Sequence, residues 1–481
     1  MNINFTSDIE KNYDAIILGV YENSKLSKLT ENFEKKLGGI ISKTIKNSKF
    51  KGNVGDVVDI FSEKIILVGL GKEAELDDIV LHKIGGIIGS HVTKEKKENV
   101  LLMLDNFADE KNFAIIYGAM LKTYRFDKYK TVDDEKKTEI LFNVYSQNPK
   151  KSKDDFSDVS AVIDGVITTR DLANEPSNVL STTALAKEAK KLSKLGIKVE
   201  VIDAKELEKM GANLILAVGA GSKNPPYIVV MKYTGNKKSK NTVALVGKGL
   251  CFDSGGISLK PSRGMDEMKS DMTGAATVIG IMESIAKRNM NINVTGVIGL
   301  AENMPDGASY KPGDIVKSLS GKTVEVLDTD AEGRLVLADC LTYTVRNIKP
   351  KFVMDFATLT GAVMVALGEE TTGIFSNDEK LVDMVKTASQ KTGEDVWQLP
   401  LGKKFADMIK SDIADVKNLG APERYAGSIT AAEFLKVFVE GTPWIHFDIA
   451  GTAWVNKEND IAPKGMSGVC VALINKLFEN L

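Results

Sequence analysis

Asp328-Thr-Asp-Ala-Glu-Gly-Arg334 packs three acids and an arginine into seven residues. An apolar, strand-like run, Thr323 to Leu327, leads into it, and a helix-like run, Leu335-Val-Leu-Ala-Asp-Cys-Leu-Thr-Tyr343, leads out. Strand, charged loop and helix in succession point to an α/β fold. Asp330 and Glu332 are two apart, so in an extended or looped backbone their side chains leave on the same side. Two carboxylates converging at the mouth of a strand commonly hold a hard divalent cation. The same residues also suit a charged loop that caps a helix, and short motifs match by accident. The rest of the chain has to decide.

At 481 residues the chain exceeds one ordinary core, so two domains are expected. A hydrophobic share of 43% and a charged share of 27% are those of a soluble globular protein. A net charge of −2 supplies no basic footprint for nucleic acid or an anionic membrane. The first residues, Met1-Asn-Ile-Asn-Phe-Thr-Ser-Asp8, lack the basic and apolar regions of a signal peptide, and no apolar run reaches spanning length. Cys251, Cys340 and Cys470 are scattered, which suits reduced thiols packed in apolar surroundings and a cytoplasmic location.

Outward from the opening stretch, the chain alternates strand and helix signals. Near the N-terminus, Ala15 to Val20, Lys64 to Leu70 and Val100 to Leu104 read as buried strands, with helical spacing over Ser27 to Gly38 and Leu76 to Ser90. Neither a dinucleotide fingerprint nor a Walker motif accompanies Gly69-Leu-Gly-Lys72. His82 and His91 read as surface or packing residues without acidic partners. From Asp127 to Asp158 lysine and aspartate dominate, as in Asp133-Asp-Glu-Lys-Lys137, and the domain boundary is placed there. The expectation is an α/β fold of two domains: a small N-terminal α/β domain with its charged linker over 1–160, and a larger α/β domain over 161–481 with a central mixed sheet. In the second domain, the apolar runs Leu214 to Val218 and Tyr227 to Tyr233 bracket a turn. Thr242 to Val246 reads as a strand running into a glycine-rich loop, Gly247 to Lys260. Thr273 is the expected N-cap of a helix reaching about Arg288. Further strands are expected over Asn293 to Leu300, Phe352 to Ala357 and from Trp444.

Functional crevices of open α/β sheets lie outside the carboxyl ends of the strands. Lys248 and Asp253 follow one strand, Asp330 and Glu332 another, and Asp271 and Thr358 sit at further junctions. Asp253, Asp271, Asp330 and Glu332 supply four negative charges, which two divalent cations would balance; one cation would leave a costly excess. His446 is the lone histidine of this domain and lies on a strand, so the set is carboxylate-rich and open to Zn²⁺, Mn²⁺, Mg²⁺ or Co²⁺. Lys248 is either a surface lysine in a glycine loop or a neutral amine on a metal. Lys260 and Arg334 are then spare positive charges suited to an anion or a developing oxyanion. In outline this is a two-metal hydrolase.

Asp328-Thr-Asp-Ala-Glu-Gly-Arg-Leu335 closely resembles the N-T-D-A-E-G-R-L signature of the leucyl (cytosol) aminopeptidase family. Val246-Gly-Lys-Gly, Phe252-Asp-Ser-Gly-Gly, Lys269-Ser-Asp-Met, Ala357-Thr-Leu-Thr-Gly and Trp444-Ile-His-Phe-Asp-Ile-Ala-Gly-Thr resemble further family blocks, in family order, over roughly residues 170 to 475. The resemblance implies that 161–481 is a metallopeptidase domain removing the N-terminal residue, preferably leucine or another apolar one, from peptides. It implies Lys248, Asp253, Asp271, Asp330 and Glu332 as ligands of two Mn²⁺ or Zn²⁺ ions, with Asp253 and Glu332 touching both. Lys260 and Arg334 match the catalytic pair: Lys260 polarises the scissile carbonyl, a metal-bridging hydroxide attacks it, and Arg334 holds a bicarbonate general base. Met268, Thr358, Leu359 and Gly361 match positions around the substrate's first side chain. A free N-terminal amine and a homohexamer are implied too, the N-terminal domain serving assembly. Asp328 stands where the family usually has Asn, read as a tolerated change or as an extra carboxylate that alters metal binding. His446 and Asp448 read as hydrogen-bonded structural groups, and Trp397, Trp444 and Trp454 as core. A two-metal phosphohydrolase would use the same acids, with Lys260 and Arg334 on phosphate. A binding or assembly protein is the non-catalytic alternative.

Overall fold

The apolar runs form strands because neighbouring chain covers them on both faces. The structure, a computed structural model, describes residues 2–105, 107–132, 139–420 and 425–481; the charged run Asp133 to Lys137 lies outside them. The chain separates into two compact units, Met1–Ile163 with Asn456–Lys464, and Asp164–Val455 with Gly465–Leu481. No helix among the described residues is long and apolar enough to cross a membrane.

The first unit holds strands Ile3–Thr6 (β1), Ala15–Tyr21 (β2), Val57–Ile60 (β3), Ile65–Gly71 (β4), Asn99–Met103 (β5) and Leu141–Tyr145 (β6). They lie in the order β1-β6-β5-β2-β4-β3, parallel except for β3 against β4. All seven residues of β4 are buried, which matches its continuous apolar run. Helices Asp78–Lys94 (α1) and Asp109–Thr123 (α2) cross at glycines. A Cβ on Gly85 would lie 1.9 Å from the Ile115 carbonyl oxygen, and one on Gly118 would lie 2.0 Å from that of His82. The segment 456–464 packs on this pair: Lys122 Nζ donates to the Asn459 carbonyl at 2.6 Å, and the Asp460 carbonyl sits against Gly86. The sequence carries no signal for this return. His91 has an acidic partner after all, with Nε2 3.1 Å from Asp59. The two residues are 32 apart in sequence, so no local pattern joins them. His82 packs on Tyr117, and burial pushes its imidazole down to about 4.

The second unit is built on strands Lys198–Ile202 (β7), Tyr227–Thr234 (β8), Val243–Asp253 (β9), Asn293–Asn303 (β10), Val353–Ala357 (β11), Thr372–Ser376 (β12), Val396–Gln398 (β13) and Trp444–Asp448 (β14). Their order is β13-β12-β14-β11-β9-β10-β8-β7. The four central strands, β14, β11, β9 and β10, are mutually parallel, and antiparallel neighbours flank them, so the sheet is mixed.

Four expectations are corrected by this architecture. Leu214 to Val218 belongs to a helix, Asn213–Gly219 (α3), because its apolar side chains cover the sheet rather than extend it. The strand from Val243 continues through the glycine-rich stretch to Asp253, so Lys248 lies within β9. Gly247 allows this: a Cβ there would lie 2.7 Å from the Gly274 carbonyl in helix Thr273–Lys287 (α4). Thr273 is the first residue of α4 rather than its cap; its hydroxyl donates back to the Ser270 carbonyl at 2.6 Å. Of the tryptophans, Trp444 is fully buried, but Trp397 is 63% exposed and is no core residue. Helices Gly333–Tyr343 (α5) and Gly361–Leu367 (α6) complete the frame needed below. The carboxyl ends of the four parallel strands form one rim, carrying Asp448, Thr358, Asp253 and Asn303 in sheet order.

Candidate metal centre

At that rim β9, the loop before α5 and the turn before α4 bring four carboxylates together. Asp253, Asp330 and Glu332 each offer an oxygen within 4.8 Å of the others, a grouping that could hold a metal ion. Asp253 Oδ1 accepts from the Gly255 amide at 2.9 Å and from Asn303 Nδ2 at 2.8 Å, and Oδ2 lies 2.8 Å from Lys260 Nζ. Lys260 Nζ also meets Asp330 Oδ1 at 2.5 Å. Lys248 Nζ lies 2.7 Å from Asp271 Oδ1 and 3.1 Å from Glu332 Oε1, and donates to the Thr358 carbonyl at 2.9 Å. The Thr358 hydroxyl donates to Asp271 Oδ1 at 2.7 Å.

Gly333 makes this convergence possible. A Cβ there would lie 2.4 Å from Lys248 Cε, so any side chain would push the lysine out of the cluster. Thr329 ties the loop to the end of β9: its hydroxyl donates to the Gly255 carbonyl at 2.6 Å and accepts from the Ser258 amide at 2.8 Å. Asp328 Oδ1 accepts from the Asp330 amide at 2.9 Å, closing the turn that aims Asp330. Arg334 Nη1 donates to the Asn418 carbonyl at 2.7 Å, while the Asn418 side chain grips the backbone of Asp328.

The electrostatics are those of a cluster short of positive charge. Burial, then the neighbouring Asp253, raises Glu332 to about 8; burial likewise raises Asp271 to about 6 and pushes Asp330 up. Burial alone would lower the Lys248 ammonium, but Asp271, Glu332 and Asp253 together hold it above the ordinary lysine value. Lys260 is raised in the same way, chiefly by Asp253 and Glu332 against burial. Asp271 Oδ2 and Glu332 Oε2 are buried with no hydrogen-bond partner among the described residues. Orphaned buried carboxylate oxygens are costly, and divalent cations satisfy them. The donor set, all oxygen apart from one amine, fits such ions.

A cavity of about 760 Å³ opens beside the cluster. Lys260, Asp328, Asp330 and Arg334 line its charged end, and Leu359, Gly361, Val365, Leu399 and Ile429 line apolar wall. Of the residues expected around a substrate side chain, Leu359 and Gly361 border this cavity. Thr358 instead faces Asp271 and Lys248, and Met268 lies half-buried in the helical turn Met265–Ser270. Two supporting residues carry no motif of their own. Asn303 spans Asp253 and the Thr329 carbonyl, at 2.8 and 2.9 Å, and Asn418 anchors the loop. Their only signal in the sequence is a polar residue at a strand end. His446 and Asp448 are hydrogen-bonded as expected: His446 Nδ1 lies 2.6 Å from Asp355 Oδ1, and Asp448 accepts from Thr360 Oγ1 at 2.7 Å.

Comparison with known proteins agrees in both units. Residues 167–475 match the sequence model described as the cytosol aminopeptidase family, catalytic domain, and residues 17–133 match that family's N-terminal domain. A probable cytosol aminopeptidase of Rhodopseudomonas palustris is 45% identical over 449 residues, covering 91% of this chain and 89% of its own length. One from Brucella anthropi is 45% identical over 453 residues, covering 92% and 91%. Among solved structures, a mutant of tomato leucine aminopeptidase aligns with a TM-score of 0.88 at 30% identity, covering 100% of this chain and 97% of that one. The bottromycin maturation enzyme BotP in complex with Mn aligns with a TM-score of 0.84 at 30% identity, covering 98% and 99%.

Proposed function

This chain belongs to the cytosol aminopeptidase family and is a metal-dependent aminopeptidase; from that premise we propose that it works through a binuclear centre and prefers leucine or another apolar first residue. One observation carries the reading: four carboxylates and two lysines, with buried oxygens left unsatisfied, meet at the ends of parallel strands beside a half-apolar cavity. Lys248, Asp253, Asp271, Asp330 and Glu332 would hold two Mn²⁺ or Zn²⁺ ions, Asp253 and Glu332 facing both. Two such ions balance the four carboxylates, and Lys248 then joins the set as a neutral amine, its proton displaced. When bound, the cations supply Lewis acidity and an acidified water, and a bicarbonate beside them supplies a proton acceptor.

The protein's own groups do the rest. Lys260, at the charged end of the cavity, donates to the scissile carbonyl and steadies the negative charge that develops there. Arg334 shares that end and holds the bicarbonate by charge. The substrate's free α-amine would bind one of the two cations, which restricts cleavage to the first residue. Leu359 and Gly361 bound the first side chain, and the apolar wall favours leucine. We place the enzyme in the cytoplasm and expect a homohexamer, assembled with the help of the first unit, in keeping with the family.

Purified protein with Mn²⁺ or Zn²⁺ is expected to cleave leucine p-nitroanilide and Leu-Gly peptides and to leave the N-acetylated substrates intact. Equal cleavage of free and acetylated substrates would remove the amine-anchoring step.

A further inference from the structure

Asp448, a carboxylate outside the proposed ligand set, holds a turn on which both halves of the site depend. It ends β14 at 1% exposure. The β14–β11 ladder closes with the Ile449 amide donating to the Ala357 carbonyl at 2.9 Å. Beyond Ala357 the chain leaves the sheet, so the next amides lose their strand partners and need others. The Asp448 side chain takes over: Oδ1 accepts from the amides of Leu359 at 3.1 Å and Thr360 at 3.4 Å, and Oδ2 accepts from the Thr360 hydroxyl at 2.7 Å. That hydroxyl in turn accepts from the Val363 amide at 3.2 Å and so fixes the start of α6.

The gripped turn, Thr358 to Gly361, faces two ways. Toward the cluster, the Thr358 hydroxyl and carbonyl meet Asp271 and Lys248. Toward the cavity, Leu359, Thr360 and Gly361 form wall. A shift of this turn therefore moves two proposed metal ligands and the side-chain pocket together. Changing a group that orients ligands from behind typically costs about 10–100-fold in metal affinity or activity.

We propose that Asp448 is a positioning residue that, through Thr360 and the turn Thr358 to Gly361, couples cation affinity to recognition of the substrate's first side chain. This rests on the binuclear aminopeptidase reading above. A purely structural role for Asp448 would affect folding alone. The coupling predicts that two separate properties, one measurable without substrate, move together while the fold holds.

The test compares Thr360→Val, which removes the hydroxyl at nearly constant shape, with Thr360→Ser, which keeps it, and with Asp448→Ala. Mn²⁺ affinity is measured calorimetrically without substrate, and KM is measured for leucine amide and alanine amide. Thr360→Val is expected to weaken Mn²⁺ binding about tenfold or more and to change the ratio of the two KM values about threefold or more. Thr360→Ser, which keeps the hydroxyl, is expected to stay closer to wild type than Thr360→Val in both, and Asp448→Ala to move both further than Thr360→Val. A folded Thr360→Val with wild-type values, or with only one of the two changed, overturns the coupling, and decides the matter even if Asp448→Ala does not fold. Wild-type protein that binds no Mn²⁺ and cleaves no amide would instead sink the binuclear reading, and the coupling with it.

Discussion

Glu332 and Asp339 lie two turns apart on the same helix, the first capping α5 and the second inside it. Both are buried, and burial raises both, Glu332 to about 8 and Asp339 to about 7. Their partners differ in kind. Asp339 accepts from the amides of Leu214 at 2.9 Å, Ile215 at 3.1 Å and Leu319 at 2.8 Å, two of them in the first turn of α3. Fixed backbone dipoles satisfy both of its oxygens. Glu332 has one oxygen against the Lys248 ammonium and the other buried with no hydrogen-bond partner among the described residues. A raised carboxyl therefore does not mark a functional site by itself. An unmet oxygen beside side-chain charges that a cation could replace does.

The sharpest way to break this contrast is to neutralise each acid in turn. Glu332→Gln is expected to lower aminopeptidase activity more than about 100-fold, beyond the loss typical of a group behind the ligands. Asp339→Asn is expected to keep Mn²⁺ affinity and activity per folded molecule but to cost about 2 kcal/mol of stability in urea. An active Glu332→Gln, or an Asp339→Asn that loses metal, would erase the distinction.

The pH response separates the two acids more gently. Each has a folded value above the ordinary carboxylate one, so its stabilising contribution is full below about pH 4 and fades as pH rises. It is gone above about 7 for Asp339 and about 8 for Glu332. Metal-free protein is thus expected to lose stability from about pH 4 to 8, and saturating Mn²⁺ to recover the part due to the ligands Glu332, Asp271 and Asp330 but not the part due to Asp339. Because the cation displaces protons, Mn²⁺ affinity below about pH 8 should fall about tenfold per pH unit for each proton released. Thermal midpoints and calorimetric titrations across pH check both; an affinity flat with pH would mean that no ligand carries a proton beforehand.

The smallest effect is expected at Asp328. Its Oδ1 accepts the Asp330 amide at 2.9 Å, and an asparagine oxygen would do the same. Asp328→Asn should leave Mn²⁺ affinity within about twofold, as non-ligand surface changes usually do. A larger shift would make this carboxylate part of the electrostatics of the site.

Much of this arrangement is legible from residues near one another in sequence. The opening motif, the βα alternation and the apolar strands all have local periodicity, and the family resemblance rests on short contiguous blocks. What cannot be read that way depends on contacts across the chain. Asn303 reaches Asp253 over 50 residues, and Asn418 reaches Asp328 over 90. The glycine-rich stretch after Val246 reads as loop because glycine weakens strands, yet there it admits α4 against the sheet. The apolar run Leu214 to Val218 is too short for periodicity to separate strand from helix.

The return of 456–464 to the first unit governs how the protein can be cut. A chain ended at Ile163 would leave Gly86 without the Asp460 carbonyl and the nearly buried Lys122 without the Asn459 carbonyl. Such a fragment would be an unfinished piece rather than a free-standing module. A protease nick near residue 160 would likewise leave both fragments sharing one folded body. For truncation and for recombination between relatives, the severable parts of this chain are not halves of its length.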